Sequence, residues 1–211
     1  PYSRLVTLEN TTNKGGGACW SFEEMLRIKK TCKANNLALH LDGARLFNAM
    51  VAKNESPEQY GKVFDTISIC LSKGLGAPVG SLLLGAKEHI AKALRIRKLF
   101  GGAMRQAGYL AAAGIYALDN HVQRLAIDHT RAKIIGVALK NCEFVKNVEP
   151  IETNIVIFSV ADVISEEAFM SRLNDAGIGL ISMGQGKLRM VTHLDFNEEM
   201  LESVVHTLEH I

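Results

Sequence analysis

Only seven residues, Ser72–Pro78, separate two short apolar runs, Asp65–Leu71 (D-T-I-S-I-C-L) and Val79–Leu84. Both read as strands. A parallel crossover needs about a dozen residues or more, so these two strands must be antiparallel if they are neighbours in one sheet. The chain before them alternates strand and helix, as a parallel sheet requires. Residues 4–8 (R-L-V-T-L) form a first strand. Ser21-Phe22-Glu23-Glu24 predicts a capping box, with the Ser21 hydroxyl on the Glu24 N–H and the Glu24 carboxylate returning to the Ser21 N–H. A helix should follow, with Phe22, Met25, Leu26 and Ile28 facing inward, and end near Asn35-Asn36. Leu37–Leu41 is a second strand and residues 46–52 a short helix. The fold class implied is α/β, a mostly parallel sheet closed by one antiparallel strand.

Residues 86–98 and 104–119 read as helices, and residues 122–141 carry a 3.6-residue apolar period at Leu125, Ile134, Val137 and Ala138. After Pro150 the pattern changes. Residues 154–158 form a strand, 165–176 a helix, 178–182 and 187–192 strands, and 197–210 a last helix with Asn197 as N-cap. This is a small α+β unit, and the domain boundary is placed near residue 122, giving domains 1–122 and 123–211. The strand that begins at residue 4 implies that sequence is missing upstream.

Composition removes several classes of function. With 24 Lys and Arg against 22 Asp and Glu, the net charge is +2, which offers no basic face for nucleic acid or anionic lipid. The longest near-continuous apolar stretch, Ala107–Leu118, is 12 residues with two glycines, too short to span a bilayer. Cys19, Cys32, Cys70 and Cys142 form no C-x-x-C pair, so neither a zinc nor a redox framework is expected, and no metal site is predicted. Unpaired cysteines and the absence of a signal-like start make the cytoplasm the default compartment.

The residues able to do chemistry cluster at strand ends. Asp42 and Arg45 follow the second strand, and Lys73 follows the third. Ligands of open α/β sheets bind beyond the carboxyl ends of the strands. Taken singly, Asp42 reads as a turn former and Lys73 as a surface charge. Presented together, a carboxylate and an amine fit pyridoxal phosphate, which needs a lysine for its Schiff base and an acid on its pyridine nitrogen.

The wording around these residues resembles the low-specificity L-threonine aldolases, pyridoxal-phosphate enzymes of the aspartate-aminotransferase-like fold. The resemblance lies in Leu39-His40-Leu41-Asp42-Gly43-Ala44-Arg45, in residues 72–81 (S-K-G-L-G-A-P-V-G-S), and in residues 101–108 (G-G-A-M-R-Q-A-G). Leu8-Glu9-Asn10-Thr11 with Gly15-Gly16-Gly17, and residues 188–193 (L-R-M-V-T-H), are also similar to that family. It implies part of the cofactor-binding large domain followed by the small C-terminal domain. It makes Lys73 the Schiff-base lysine, Asp42 the partner of the pyridine nitrogen, and Arg45 a neighbour of the cofactor's phenolic oxygen and of the substrate carboxylate. Arg189 would hold that carboxylate, Asn10 would line the substrate site, and Arg105 and Lys98 would reach the active site of a neighbouring subunit. His40 and His193 read as structural.

The same resemblance places the phosphate loop and the ring-stacking histidine upstream of residue 1. It implies reversible cleavage of L-threonine or L-allo-threonine to glycine and acetaldehyde by a homodimer or homotetramer. Two rival readings share these residues: a β-eliminating amino-acid lyase on the same scaffold, and an inactive fragment lacking part of its site.

Overall fold

The computed structural model describes residues 2–211. The chain forms two compact units, one of residues 2–11 with 19–123, the other of residues 12–18 with 124–211.

In the first unit β1 (Leu5–Glu9), β2 (Ala38–Gly43), β3 (Thr66–Cys70) and β4 (Ser81–Gly85) lie side by side in that order. β1, β2 and β3 are parallel, and β4 runs antiparallel to β3 with Cys70 opposite Ser81, as the short connection demands. Leu39, Leu41, Ile67 and Ile69 are buried on the sheet, and Met25 and Cys32 of α1 (Phe22–Ala34) are buried with them. Asp65 fastens the entry to β3: its carboxylate accepts from the Leu39 N–H at 2.7 Å and from Lys29 at 2.8 Å. Burial alone would raise the Asp65 pKa, but these two donors hold it below the ordinary carboxylate value.

Several local expectations are corrected here. The Ser21 hydroxyl does cap the Glu24 N–H, but the Glu24 carboxylate takes the Ser21 hydroxyl at 2.9 Å rather than its backbone N–H. Leu26 faces solvent, whereas Met25 and Cys32 are buried, Phe22 and Ile28 are half-buried, and the Phe22 ring meets that of Tyr60 edge-on. After α2 (Leu46–Lys53) comes a helix absent from the sequence reading, α3 (Pro57–Val63). Its signal was present in Ser56-Pro57-Glu58-Gln59: Pro57 stands at the first helical turn, and the Gln59 side-chain Oε1 accepts from the Ser56 N–H at 2.7 Å. α4 spans Lys87–Leu99, and α5 begins at Gly108, not at residue 104, and ends at Asn120. The delay has a backbone cause, since Gly101, Ala103 and Gln106 all take positive φ angles that no helix accepts.

The second unit contains α6 (Leu125–Asn141), β5 (Val145–Val148), β6 (Ile155–Val160), α7 (Glu166–Asp175), β7 (Ile181–Gly184), β8 (Lys187–Val191) and α8 (Glu198–His210). Its sheet has the order β5-β6-β8-β7 and is antiparallel throughout. The helices cover a core around Leu139, Phe158, Phe169, Leu173, Leu188 and Leu201. β5 was not expected from the sequence.

On α6 the apolar period held at Leu125 and Ala138, which are buried, and failed at two other positions. Ile134 and Val137 are exposed, whereas Ala132, Ile135 and Leu139 are buried with the polar pair Asp128 and His129. The strand expected at 178–182 starts only at Ile181, because residues 177 and 178 close α7 instead. Gly177, at φ 76°, donates to the Asn174 carbonyl, and Ile178 donates to that of Leu173. This left-handed glycine cap, with its following apolar residue tucked back, draws Ile178 out of the strand.

Candidate active site

β2 and β3 are parallel neighbours, with Asp42 opposite Ser68. Their carboxyl ends therefore open on the same edge of the sheet, and this edge carries both Asp42 and the loop holding Lys73. Asp42 is half-buried, and its Oδ1 accepts from the Ala44 N–H at 3.1 Å, a local turn that restrains the carboxylate. Gly43 is buried where a methyl group would stand 2.7 Å from the Ser68 carbonyl oxygen, so only glycine lets β2 lie this close to β3 at the site. Arg45 is half-buried at the start of α2.

The lysine loop is held from within. Gly76 donates to the Lys73 carbonyl at 2.8 Å, Ala77 to that of Leu71 at 3.0 Å, and Leu71 to that of Gly80 at 2.9 Å. His121, just past α5, adds its Nδ1 to the Leu75 carbonyl at 2.6 Å. Leu75 and Ala77 are buried while Lys73 itself is exposed, so the backbone is fixed and the amine is presented outward. Among the described residues Lys73 forms no ion pair. An amine on a hydrogen-bonded loop and a carboxylate at a strand end, on the same edge of the sheet, suit a carbonyl-bearing ring with a basic nitrogen. The donor set of this edge fits pyridoxal phosphate.

Asn10 follows β1 and is completely buried. Its Nδ2 donates to the Tyr60 hydroxyl at 3.2 Å, and its Oδ1 accepts from the Trp20 N–H at 3.4 Å. Tyr60 in turn donates a short hydrogen bond to Glu55. Burial first, and then the Glu55 carboxylate, push the Tyr60 phenol well above its ordinary pKa, so it stays protonated. Tyr60 is not among the residues expected at the site, because it lies on α3, which the apolar periodicity does not mark.

The remaining candidates divide between the units. Lys98 lies on α4, which buries none of its residues, and Arg105 sits exposed in the irregular segment before α5 rather than on a helix. In the second unit Arg189 is on β8, between Ile157 of β6 and Ile181 of β7. It is half-buried, its Nη1 donates to Asn13 Oδ1 at 2.8 Å, and its buried Nε has no partner. An unsatisfied buried donor costs about 1–3 kcal/mol, so the guanidinium is left with donor capacity to give. His40 bonds Thr66 at 2.8 Å, and His193 accepts the Asp195 N–H at 3.2 Å; both serve local structure. Among the described residues no disulfide joins the cysteines, no three His, Cys, Asp or Glu are grouped to hold a metal, and no helix is long and apolar enough to cross a membrane.

Residues 1–163 match the beta-eliminating lyase family. The chain belongs to that family. The resemblance read from the residues is borne out by its relatives. It is 42% identical over 202 residues to the low specificity L-threonine aldolase of Escherichia coli K12, covering 96% of this chain and 58% of that protein. It is 39% identical over 196 residues to low-specificity L-threonine aldolase 1 of Arabidopsis thaliana, covering 92% of this chain and 55% of that protein. The chain thus spans rather more than half the length of these curated relatives. Its fold matches that of the Leishmania major threonine aldolase with a TM-score of 0.82 at 22% identity, over 98% of this chain and 60% of the other. The α/β expectation, with a mostly parallel first sheet, therefore holds.

Proposed function

We propose that this protein is a pyridoxal-phosphate-dependent lyase that cleaves L-threonine or L-allo-threonine to glycine and acetaldehyde. The observation that carries the reading is the shared edge of β2 and β3, where Asp42 and the Lys73 loop emerge from adjacent parallel strands. The relatives named threonine aldolases supply the reaction, and this edge supplies the residues.

When bound, the cofactor provides an electron sink for the carbanion left as the Cα–Cβ bond breaks. Lys73 would hold it through its side-chain amine. Asp42 holds a proton on the ring nitrogen, since a carboxylate at hydrogen-bond range favours the cationic form. Arg45 and Arg189 orient the substrate carboxylate, a positioning task suited to a planar, permanently charged fork. Asn10, from its place in the resemblance, lines the substrate site, and its two hydrogen bonds support a fixed wall.

The enzyme is proposed to act as a homodimer or dimer of dimers in the cytoplasm, with Lys98 and Arg105 reaching a neighbouring subunit's site. The bare surface of α4 and the segment after it support this arrangement: Phe100 is 88% exposed and Tyr109 92%, more apolar surface than a lone subunit normally shows.

Borohydride reduction of the cofactor-loaded protein followed by peptide mapping should place the label on Lys73, and Lys73→Ala should remove both label and turnover. Asp42→Ala should lower kcat by orders of magnitude with the fold kept. A label on another lysine, or near-normal turnover of Asp42→Ala, would refute the assignment. Product analysis separates the reactions: glycine plus acetaldehyde supports the aldolase, and pyruvate plus ammonia supports β-elimination.

A further inference from the structure

We infer that Asn13 is a positioning residue that aims the Arg189 guanidinium at the carboxylate of the amino-acid substrate, an inference that rests on the carboxylate-binding role proposed for Arg189. Asn13 and Arg189 stand 176 positions apart in sequence, yet Asn13 Oδ1 accepts from Arg189 Nη1 at 2.8 Å.

The other arginines of this unit's interior are treated differently. Arg124 is paired with the buried carboxylate of Asp128 at 2.5 Å, and Arg131 with Glu198 at 3.4 Å. Arg189 forms no ion pair among the described residues. Its one hydrogen-bond partner among the described residues is a neutral amide. A carboxylate at position 13 would consume the positive charge, whereas an amide carbonyl fixes the guanidinium plane and leaves the charge available to an anion. The unpartnered, buried Nε shows that the fork's hydrogen bonds are incomplete.

Asn13 is itself carried on a stiff platform. Thr12 donates to the Ala18 carbonyl at 3.0 Å, and Gly17 to the Thr12 carbonyl at 2.8 Å, closing residues 12–18 into a compact loop. Thr153, fully buried just before β6, donates its hydroxyl to the Gly17 carbonyl at 2.8 Å and fastens that loop to the sheet bearing Arg189. The amide and the guanidinium thus belong to one rigid framework. A guanidinium that is pre-aimed loses less freedom when a carboxylate arrives.

The test titrates the cofactor-loaded protein calorimetrically with glycine, which has the carboxylate, and with threoninol, which lacks it. Asn13→Ala should weaken glycine about tenfold, the scale of one misaligned charge-assisted hydrogen bond, and leave threoninol within about twofold. Asn13→Asp should weaken glycine further, because its carboxylate competes for Arg189, and lowering the pH toward the ordinary Asp pKa should restore part of that loss. Unchanged glycine affinity in Asn13→Ala would overturn the inference. Equal weakening of both ligands would also overturn it, since that is what a merely structural loop residue would give. The titration needs no turnover: a wild-type protein that binds glycine but does not cleave threonine refutes the proposed reaction and leaves the Asn13 comparison decisive.

Discussion

Replacing Gly17 by Ala tests the platform beneath Asn13. Gly17 is buried at φ +74°, a conformation that costs an L-residue roughly 1–2 kcal/mol. The added methyl would overlap Thr153 Oγ1 and stand 3.3 Å from Ile155 Cβ. Thr153 must then turn its hydroxyl away from the Gly17 carbonyl, and a buried polar group that loses its partner costs about 1–3 kcal/mol. Alanine also stiffens the unfolded chain, which returns about 0.4–1 kcal/mol. The net expectation is a loss of about 3 kcal/mol, read as a fall in the urea midpoint of about 1–2 M at a typical slope. The double substitution with Thr153→Ala removes the overlapping hydroxyl, so Gly17→Ala should cost less in that background. A loss below about 0.5 kcal/mol, or strict additivity of the two changes, would show that residues 12–18 are not packed as argued.

Two further outcomes are expected. Burial depresses the His129 pKa from its ordinary 6.5 to about 4, overriding the opposing pull of Asp128. The unfolded chain therefore binds a proton that the folded chain refuses, so this residue contributes no pH dependence above about 6.5. Stability falls as pH drops from there to about 4, by about 3 kcal/mol in total. Urea titrations of His129→Phe should lack that slope, and identical slopes in the variant and wild type would remove His129 as the cause. Tyr60→Phe leaves the Asn10 amide donor buried without an acceptor and should cost about 1–3 kcal/mol by thermal or urea unfolding. A neutral substitution would mean that Asn10 is held by Trp20 alone.

The placement of Asp42 and Lys73 at strand ends was legible because it depends on short-range spacing. Asp42 closes a strand, Lys73 begins the loop after the next, and seven residues force β4 to return antiparallel. Helix starts were legible where a polar cap stood at the right distance, as at Ser165 and Asn197, whose side chains accept from Ala168 and Met200. The misplaced elements share a different cause. Residues 104–107 look helical by composition, but the backbone takes positive φ angles at Ala103 and Gln106, which composition does not signal. On α6 the choice between Ile134 and Ile135 for the buried side was settled by the sheet it covers, since both are equally apolar.

By itself the sequence determined the alternation of strands and helices, the sense of the β3–β4 pair, and the residue types at the edge of the first sheet. These follow from periodicity, chain reach and side-chain chemistry over a few residues. Only the tertiary structure decided that Tyr60 closes over Asn10, that His121 ties down the lysine loop, and that Asn13 holds Arg189. Each of these joins residues tens of positions apart or more, and a hydrogen bond between distant residues leaves no periodic trace in the sequence: it exists only once packing has brought donor and acceptor within 3 Å or so.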